Sequence, residues 1–342
     1  MTKLHWGILG TGHIAGVFSR GVAASQTGQL VAVGSRTQKS ADRFAQEFGL
    51  ARAHGSYDAL LGDPEVSAVY VATPHPFHLE WTIRAAKAGK HVLCEKPLDV
   101  NCSGAATMFE MARAYGVMLM EAYMYRCHPQ TAKVVELVKS GAVGRVGLIQ
   151  ATFSFQNDFD PGARLWSKAL GGGGILDVGG YPVSFARLVA GAAEGKAFAD
   201  PVSVVGAGYL HPRAAVDAYA AATLRFANDV VAQVACGIGL MQDNSARIYG
   251  SKGWLHVPVP WSPNREGGTA TIFLHRSGAT VPEEITIAAP PLYALEADAF
   301  AAALAAGLHE VPQMTAADTL GNMATLDQWR EAIGLTYDAD QT

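Results

Sequence analysis

Cysteine is scarce and scattered here: Cys94, Cys102, Cys127 and Cys236 in 342 residues, with no C-x-x-C pair. That spacing excludes the common thiolate metal frameworks and offers no disulfide scaffold, so the four read as cytosolic thiols packed as small hydrophobes. Charge is sparse too. Charged residues make up 16% of the chain, and the formal net charge is -4. Without a basic excess there is no electrostatic footprint for nucleic acid or an anionic membrane. Apolar runs stop well short of the ~20 residues a membrane-spanning helix needs. The apolar opening "LHWGILGTGHIAG" carries too many glycines to read as a signal peptide. No internal repeat or low-complexity tract is present. These absences predict a cytoplasmic globular protein with neither nucleic-acid nor membrane partners. With 49% hydrophobic residues over this length, two domains are expected.

What is present begins with an alternation. Short apolar runs at Leu4–Leu9, Leu30–Val33, Ala68–Ala72, His91–Cys94 and Val117–Met120 are separated by helical segments such as "SADRFAQEFG" and "SGAATMFEMARAYG". Ala105, Met108, Phe109 and Ala112 follow the spacing of one buried helix face. Strands apolar on both faces and separated by helices predict an α/β fold with a parallel, doubly wound sheet over residues 1–123. After a helix near 129–140 the pattern turns β-rich: "GLIQATFSF", "PVSVVGAGYL", "AAATLRFA", "VVAQVACGIGL" and "ARIYG". Residues 124–342 therefore read as a second, α+β domain with an antiparallel or mixed sheet. Residues 315–335 read as a helix returning to the first domain.

The first turn carries chemistry. Gly10-Thr11-Gly12-His13-Ile14-Ala15 follows a strand and opens a helix, the context that G-x-G-x-x-A requires for dinucleotide binding. Gly10 allows the tight turn, Gly12 the approach of pyrophosphate, and the N–H groups at the helix start receive the phosphates. At the end of the second strand, Ser35, Arg36, Thr37 and Lys39 precede any acid. An arginine in place of the ribose-binding acid favours NADP, with NAD possible.

Strand ends in such a sheet line the ligand crevice. The fourth supplies Thr73, Pro74, His75 and His78; no third ligand accompanies the H-x-x-H pair, so no metal is expected. The fifth ends "HVLCEKPLDV", placing Glu95 and Lys96 before Pro97, which cannot donate to a ladder. Later, "GGGGILDVGGYPVSF" sets Asp177 and Tyr181 four residues apart, a spacing that shares one face if helical.

Taken in order, "GILGTGHIA", "SRT", "VYVATPHPFH", "HVLCEKPL", "MEAYMYRCHPQ" and "GGGGILDVGGY" resemble the glucose–fructose oxidoreductase/inositol dehydrogenase (Gfo/Idh/MocA) family. The resemblance runs to about residue 190, and E-K-P after the fifth strand is that family's mark. It implies a Rossmann domain followed by a domain with a large open, mainly antiparallel sheet, through which a homodimer or homotetramer would form. It implies that Lys96 is the catalytic lysine beside the nicotinamide, and that Tyr181 gives or takes the proton. Asp177 would assist or bind substrate. Tyr181 and Phe185 depart from the histidine-and-aspartate pattern of inositol dehydrogenases. They resemble a tyrosine branch that includes NADP-linked sugar dehydrogenases, ketoreductases and dimeric dihydrodiol dehydrogenase.

A phenol with pKa near ~10 is a poor base, so Lys96 is expected to draw Tyr181 toward phenolate. Tyr123 and Arg126 at the domain junction, and Arg164 and Trp166 in "GARLWSKAL", are further candidates for substrate binding. The expected activity is NADP(H)-dependent interconversion of a secondary alcohol and a carbonyl on a sugar or small polyol. A trans-dihydrodiol dehydrogenase is the first alternative, and a non-catalytic NADP-sensing regulator the second.

Overall fold

The structure, a computed structural model, describes residues 3–341. The first sheet has six parallel strands: β1 (Leu4–Leu9), β2 (Gly28–Gly34), β3 (Arg52–His54), β4 (Ala68–Val71), β5 (His91–Cys94) and β6 (Leu119–Glu121). They lie in the order β3-β2-β1-β4-β5-β6. Chain direction across the sheet reverses between β1 and β4, which opens a crevice at their carboxyl ends. The core strands β1, β4 and β5 are buried on both faces, as their near-continuous apolar sequences require. Helices α1 (His13–Ala23), α2 (Gln38–Phe48), α3 (Tyr57–Leu61), α4 (His78–Lys87) and α5 (Cys102–Ala114) cover them. Thr37, Ser56 and Asn101 each accept a backbone N–H at the start of α2, α3 and α5.

After α6 (Pro129–Lys139) comes a mixed, mainly antiparallel sheet of eight strands. These are β7 (Val146–Ser154), β8 (Pro201–Leu210), β9 (Asp217–Phe226), β10 (Val231–Gly237), β11 (Ala246–Gly250), β12 (Gly253–Val257), β13 (Gly268–Arg276) and β14 (Glu283–Ala289). Their order is β14-β13-β12-β11-β7-β10-β9-β8, and among the described residues β7 with β10 is the one parallel pair of this second sheet. Helices α6 and α7 (Gly180–Ala192) pack on the inner face. Along β9 burial alternates residue by residue, with Tyr219 outward and Ala220 inward. The outer face carries Val205, Tyr209 and Tyr219, all more than 40% exposed, and a stack of Tyr249, Trp254 and His275.

Two helices near the end of the chain return to the first sheet. On α8 (Leu292–Ala305), Asp298 accepts from Ser25 Oγ at 2.5 Å and Thr27 N at 3.0 Å, beside α1. Phe300 packs against Trp6 of β1 with ring centroids 5.2 Å apart. A Cβ on Gly21 would lie 2.3 Å from Tyr293 Cβ, so glycine permits this close helix crossing. On α9 (Ala316–Ala332), Asp327 Oδ2 accepts from Cys102 N at 2.9 Å at the head of α5. Among the described residues no helix is long and apolar enough to cross a membrane.

Candidate active site

One cavity of about 1370 Å³ runs from the first β–α turn to the start of α7. That exceeds the ~1000 Å³ upper range for a site holding one small ligand. At one end, Gly10 has φ +109° and a Cβ there would meet Ala72 O at 2.9 Å, so the turn requires glycine. A Cβ on Gly12 would meet nothing within 4 Å, which leaves the backbone open to the cavity. The first turn of α1 has no side-chain cap and no acidic residue. Its free N–H groups and positive dipole end suit a pyrophosphate. Thr11 Oγ1 lies 3.2 Å from Ser35 Oγ across the β1 and β2 ends. Arg36 is exposed, lines the cavity and enters no ion pair among the described residues. The residues present fit a dinucleotide.

At the other end β5 delivers Glu95 and Lys96, and the peptide between Lys96 and Pro97 is cis. Glu95 is buried; Tyr70 donates to its Oε1, and the Lys96 N–H donates to Oε2 at 3.2 Å. Burial raises the Glu95 carboxyl above its ordinary range, opposed by the Lys96 charge. Lys96 Nζ donates to the Asp177 carbonyl at 2.6 Å and sits 5.4 Å from the Tyr181 ring centroid.

Asp177 lies in a π-helical turn, Ile175–Gly179, that runs directly into α7; Tyr181 follows in the first turn of α7. Pro182 therefore falls inside a continuous helical run, just after the π-helical turn, where its missing N–H interrupts the regular ladder. Arg164 donates to Asp177 Oδ1 at 2.6 Å. His75 is held neutral, chiefly by burial and then by the Arg164 charge. Its Nδ1 donates to Gly171 O at 3.1 Å, leaving Nε2 to accept from Arg164 at 3.4 Å.

Tyr181 departs from expectation. Its phenol is pushed well above the ordinary value, first by burial and then by the nearby Tyr293 and Glu95 groups. Burial and these neighbours favour the protonated phenol, against the pull toward phenolate expected from Lys96 beside the ring. The hydroxyl donates to Met124 Sδ at 3.4 Å.

The cavity gathers Gly10, Thr11, Gly12, His13, Ile14, Ser35, Arg36, Thr37, Thr73, Pro74, Glu95, Lys96, Arg164, Asp177 and Tyr181. Five other expected residues do not line it. Lys39 is an exposed residue of the first α2 turn. The buried His78 ring lies between Thr73 O at 2.8 Å and Pro97 O at 3.0 Å, behind the strand ends. Tyr123 is buried edge-on to Tyr181, its hydroxyl 3.3 Å from Asn322 Nδ2. Arg126 is buried and donates to Asp318 at 2.6 Å and Ser184 Oγ at 2.9 Å. Trp166 Nε1 donates to Asn157 Oδ1 and Asp158 O, each at 3.0 Å.

Each of the five has its polar group satisfied or solvated elsewhere. Conversely, Met124, Phe153, Phe155, Trp261, Arg265 and Tyr293 line the cavity without having been expected. The i, i+2 pair Phe153 and Phe155 was findable, since that spacing shares one face of a strand. Trp261 and Tyr293 lie in segments without a motif. Among the described residues no group of three or more His, Cys, Asp or Glu could hold a metal ion.

A dinucleotide turn sharing a cleft with a lysine, a tyrosine and an aspartate is the arrangement of an NAD(P)-dependent oxidoreductase, and the comparisons agree. Residues 4–123 match the oxidoreductase family with an NAD-binding Rossmann fold, and residues 131–256 match the GFO/IDH/MocA C-terminal domain. The chain belongs to this GFO/IDH/MocA oxidoreductase family. It is 32% identical over 342 residues to trans-1,2-dihydrobenzene-1,2-diol dehydrogenase of Mus musculus, covering 99% of each chain. It is 33% identical to D-xylose 1-dehydrogenase (NADP(+)) 2 of Haloferax volcanii, covering 94% of this chain and 95% of that protein. The 3-ketoreductase KijD10 of Actinomadura kijaniata, solved with NADP and TDP-benzene, superposes with a TM-score of 0.87 at 29% identity. That match covers 97% of this chain and 98% of that one.

Proposed function

We propose that this enzyme uses NADP(H) to interconvert a secondary alcohol and a carbonyl on a sugar or related small polyol. The observation that carries the reading is the single cavity that joins the Gly10–Ile14 turn to Lys96, Asp177 and Tyr181. NADP is favoured because Arg36 stands where an acid would bind a ribose hydroxyl, and because the xylose dehydrogenase and the ketoreductase are NADP proteins by name or bound ligand. When bound, the nicotinamide supplies or accepts the hydride.

The side chains do the rest. Lys96, with one N–H spent on the Asp177 carbonyl, keeps two donors for a substrate oxygen. Tyr181, protonated by virtue of burial, donates a proton to that oxygen in the reducing direction and recovers it in the oxidising one. Arg164, held by Asp177 and His75, presents its remaining donors to neighbouring hydroxyls. Phe153, Phe155 and Trp261 form an apolar wall of the cavity, with Phe153 and Trp261 packed against the Tyr181 ring, suited to the flat face of a ring.

That wall also favours a second reading, oxidation of a cyclic trans-dihydrodiol, the activity named for the mouse relative. The aromatic outer face of the eight-stranded sheet supports assembly of a homo-oligomer through it.

The test is to supply NADP with panels of sugars, polyols and aromatic trans-dihydrodiols and to follow absorbance of the reduced cofactor. Turnover with sugars or polyols is expected; turnover only with dihydrodiols establishes the second reading. Tyr181→Phe should abolish turnover and leave NADPH binding intact. Unchanged turnover in that variant would overturn the acid–base role.

A further inference from the structure

The glycine run 171–174 ahead of the π-helical turn is gripped from three sides. His75 Nδ1 donates to Gly171 O at 3.1 Å, and Tyr337 Oη donates to Gly172 O at 2.5 Å. The third grip comes from Asp217, the first residue of β9, which has no exposed surface. Its Oδ2 accepts from Ile175 N at 2.7 Å, and Gly174 N also donates to this carboxyl. These are the orphan N–H groups at the head of the segment that carries Asp177 and Tyr181.

Glycine and carboxylate fit each other closely here. Gly173 has φ +107°, and a Cβ on it would lie 2.3 Å from Asp217 Oδ1. A Cβ on Gly174 would lie 3.1 Å from Oδ2. The Asp217 carboxylate therefore occupies space that side chains at positions 173 and 174 would take.

Asp217 is an expensive residue to keep. Oδ1 has no hydrogen-bond partner. The groups facing it are Arg330 on α9, the Tyr337 phenol, the Cys236 thiol and the carboxylate of Asp177 beyond it. The Arg330 guanidinium is itself committed to Asp327 and Asp340. Burial pushes the Asp217 carboxyl up to about 7. An apolar residue of similar volume would remove the buried charge but leave backbone N–H groups without an acceptor.

We propose that Asp217 is the positioning residue of this active site. Its carboxylate fixes the first N–H groups of the Ile175–Gly179 turn, and with them the place at which Asp177 and Tyr181 enter the cleft. Lys96 and Arg164 follow, because both bind Asp177. The inference rests on the proposed roles of Lys96, Asp177 and Tyr181.

The test compares Asp217→Leu, which fills the space without an acceptor, with Asp217→Asn, which keeps one. NADPH-binding sites are titrated by cofactor fluorescence, and kcat is expressed per site, so that a reduced folded fraction does not mimic a catalytic loss. Asp217→Leu is expected to lower kcat per site at least about tenfold, on the scale of a lost charge-assisted hydrogen bond. NADPH affinity should stay within about twofold, because the phosphate-binding turn lies on the other sheet. Asp217→Asn should recover most of the activity. Full kcat per site in Asp217→Leu would overturn the proposal, since packing alone would then suffice. If that variant yields no binding sites, Asp217→Ala is read the same way, as the normalisation needs only a small folded fraction. Turnover surviving in Tyr181→Phe would sink the acid–base reading whatever Asp217 does. Loss there with full activity in Asp217→Leu would sink only this inference.

Discussion

Arg36 offers the sharpest quantitative check on cofactor choice. It lies at the carboxyl end of β2, lines the cavity and enters no ion pair among the described residues, so its guanidinium is free to meet a 2′-phosphate. A hydrogen bond to a charged group contributes about 1.5–3 kcal/mol. Arg36 is exposed, and solvent screening places it at the lower end, about 2 kcal/mol. That corresponds to about a thirtyfold change in binding.

Arg36→Ala should therefore cut kcat/KM for NADP about thirtyfold while changing that for NAD by less than about threefold. The gap should narrow as salt is raised, because an exposed charge pair is screened. Lys39→Ala supplies the contrast: it lies three residues on but outside the cavity, and should change the NADP/NAD ratio by less than about twofold. The assay is steady-state reduction of each cofactor at saturating substrate in low and high salt. An NADP/NAD ratio that moves less than about threefold in Arg36→Ala would refute the assignment.

Two further outcomes follow from buried charge. Asp318 lies 2.6 Å from both Arg126 and Arg187, and all three are buried. Asp318→Asn should cost about 3–5 kcal/mol of stability in urea unfolding, since it leaves the buried Arg126 without an anionic partner and Arg187 with only the half-exposed Asp200. A loss below about 1 kcal/mol would refute that account. The Asp217 carboxyl, raised from 3.8 to about 7, gives a pH slope. Between those values the native state holds a proton that the unfolded chain releases, so stability falls as pH rises through the window. Asp217→Leu should remove that part of the slope, and an unchanged slope would place the titration elsewhere.

The first sheet was legible because its strands are buried on both faces and leave uninterrupted apolar runs. Five of its six strands, β1, β2, β4, β5 and β6, fall where those runs lie. The three-residue edge strand β3, with sequence Arg-Ala-His, carries no such run and was not foreseen. Helix α8 was also missed: "LYALEADAFAAALA" is apolar nearly all round because it is buried between α1 and the Met124–Cys127 turn, so it shows no amphipathic stripe.

In the site, glycine turns and the Glu95–Lys96 strand end are local signals that sequence can carry. Arg126 and Trp166 lie outside the cavity because tertiary partners, Asp318 and Asn157, hold their polar groups, and residue type alone does not reveal such partners. The direction in which the Tyr181 phenol shifts is illegible in sequence for a related reason. Its titration depends on burial beside Tyr293, a residue 112 positions away that no spacing rule connects to it.

The return of α8 onto α1 and of α9 onto α5 has a thermodynamic consequence. Dinucleotide-binding sheets are often treated as modules that could be cut out and kept. Here Trp6 of the very first strand is sealed by Phe300, the Ser25–Thr27 corner by Asp298, and the head of α5 by Asp327. A chain ending at residue 123 would uncover apolar and hydrogen-bonding surface on both sides of its only sheet. The two sheets are therefore expected to melt in one transition rather than two, and the dinucleotide half to lose stability when cut away from α8 and α9.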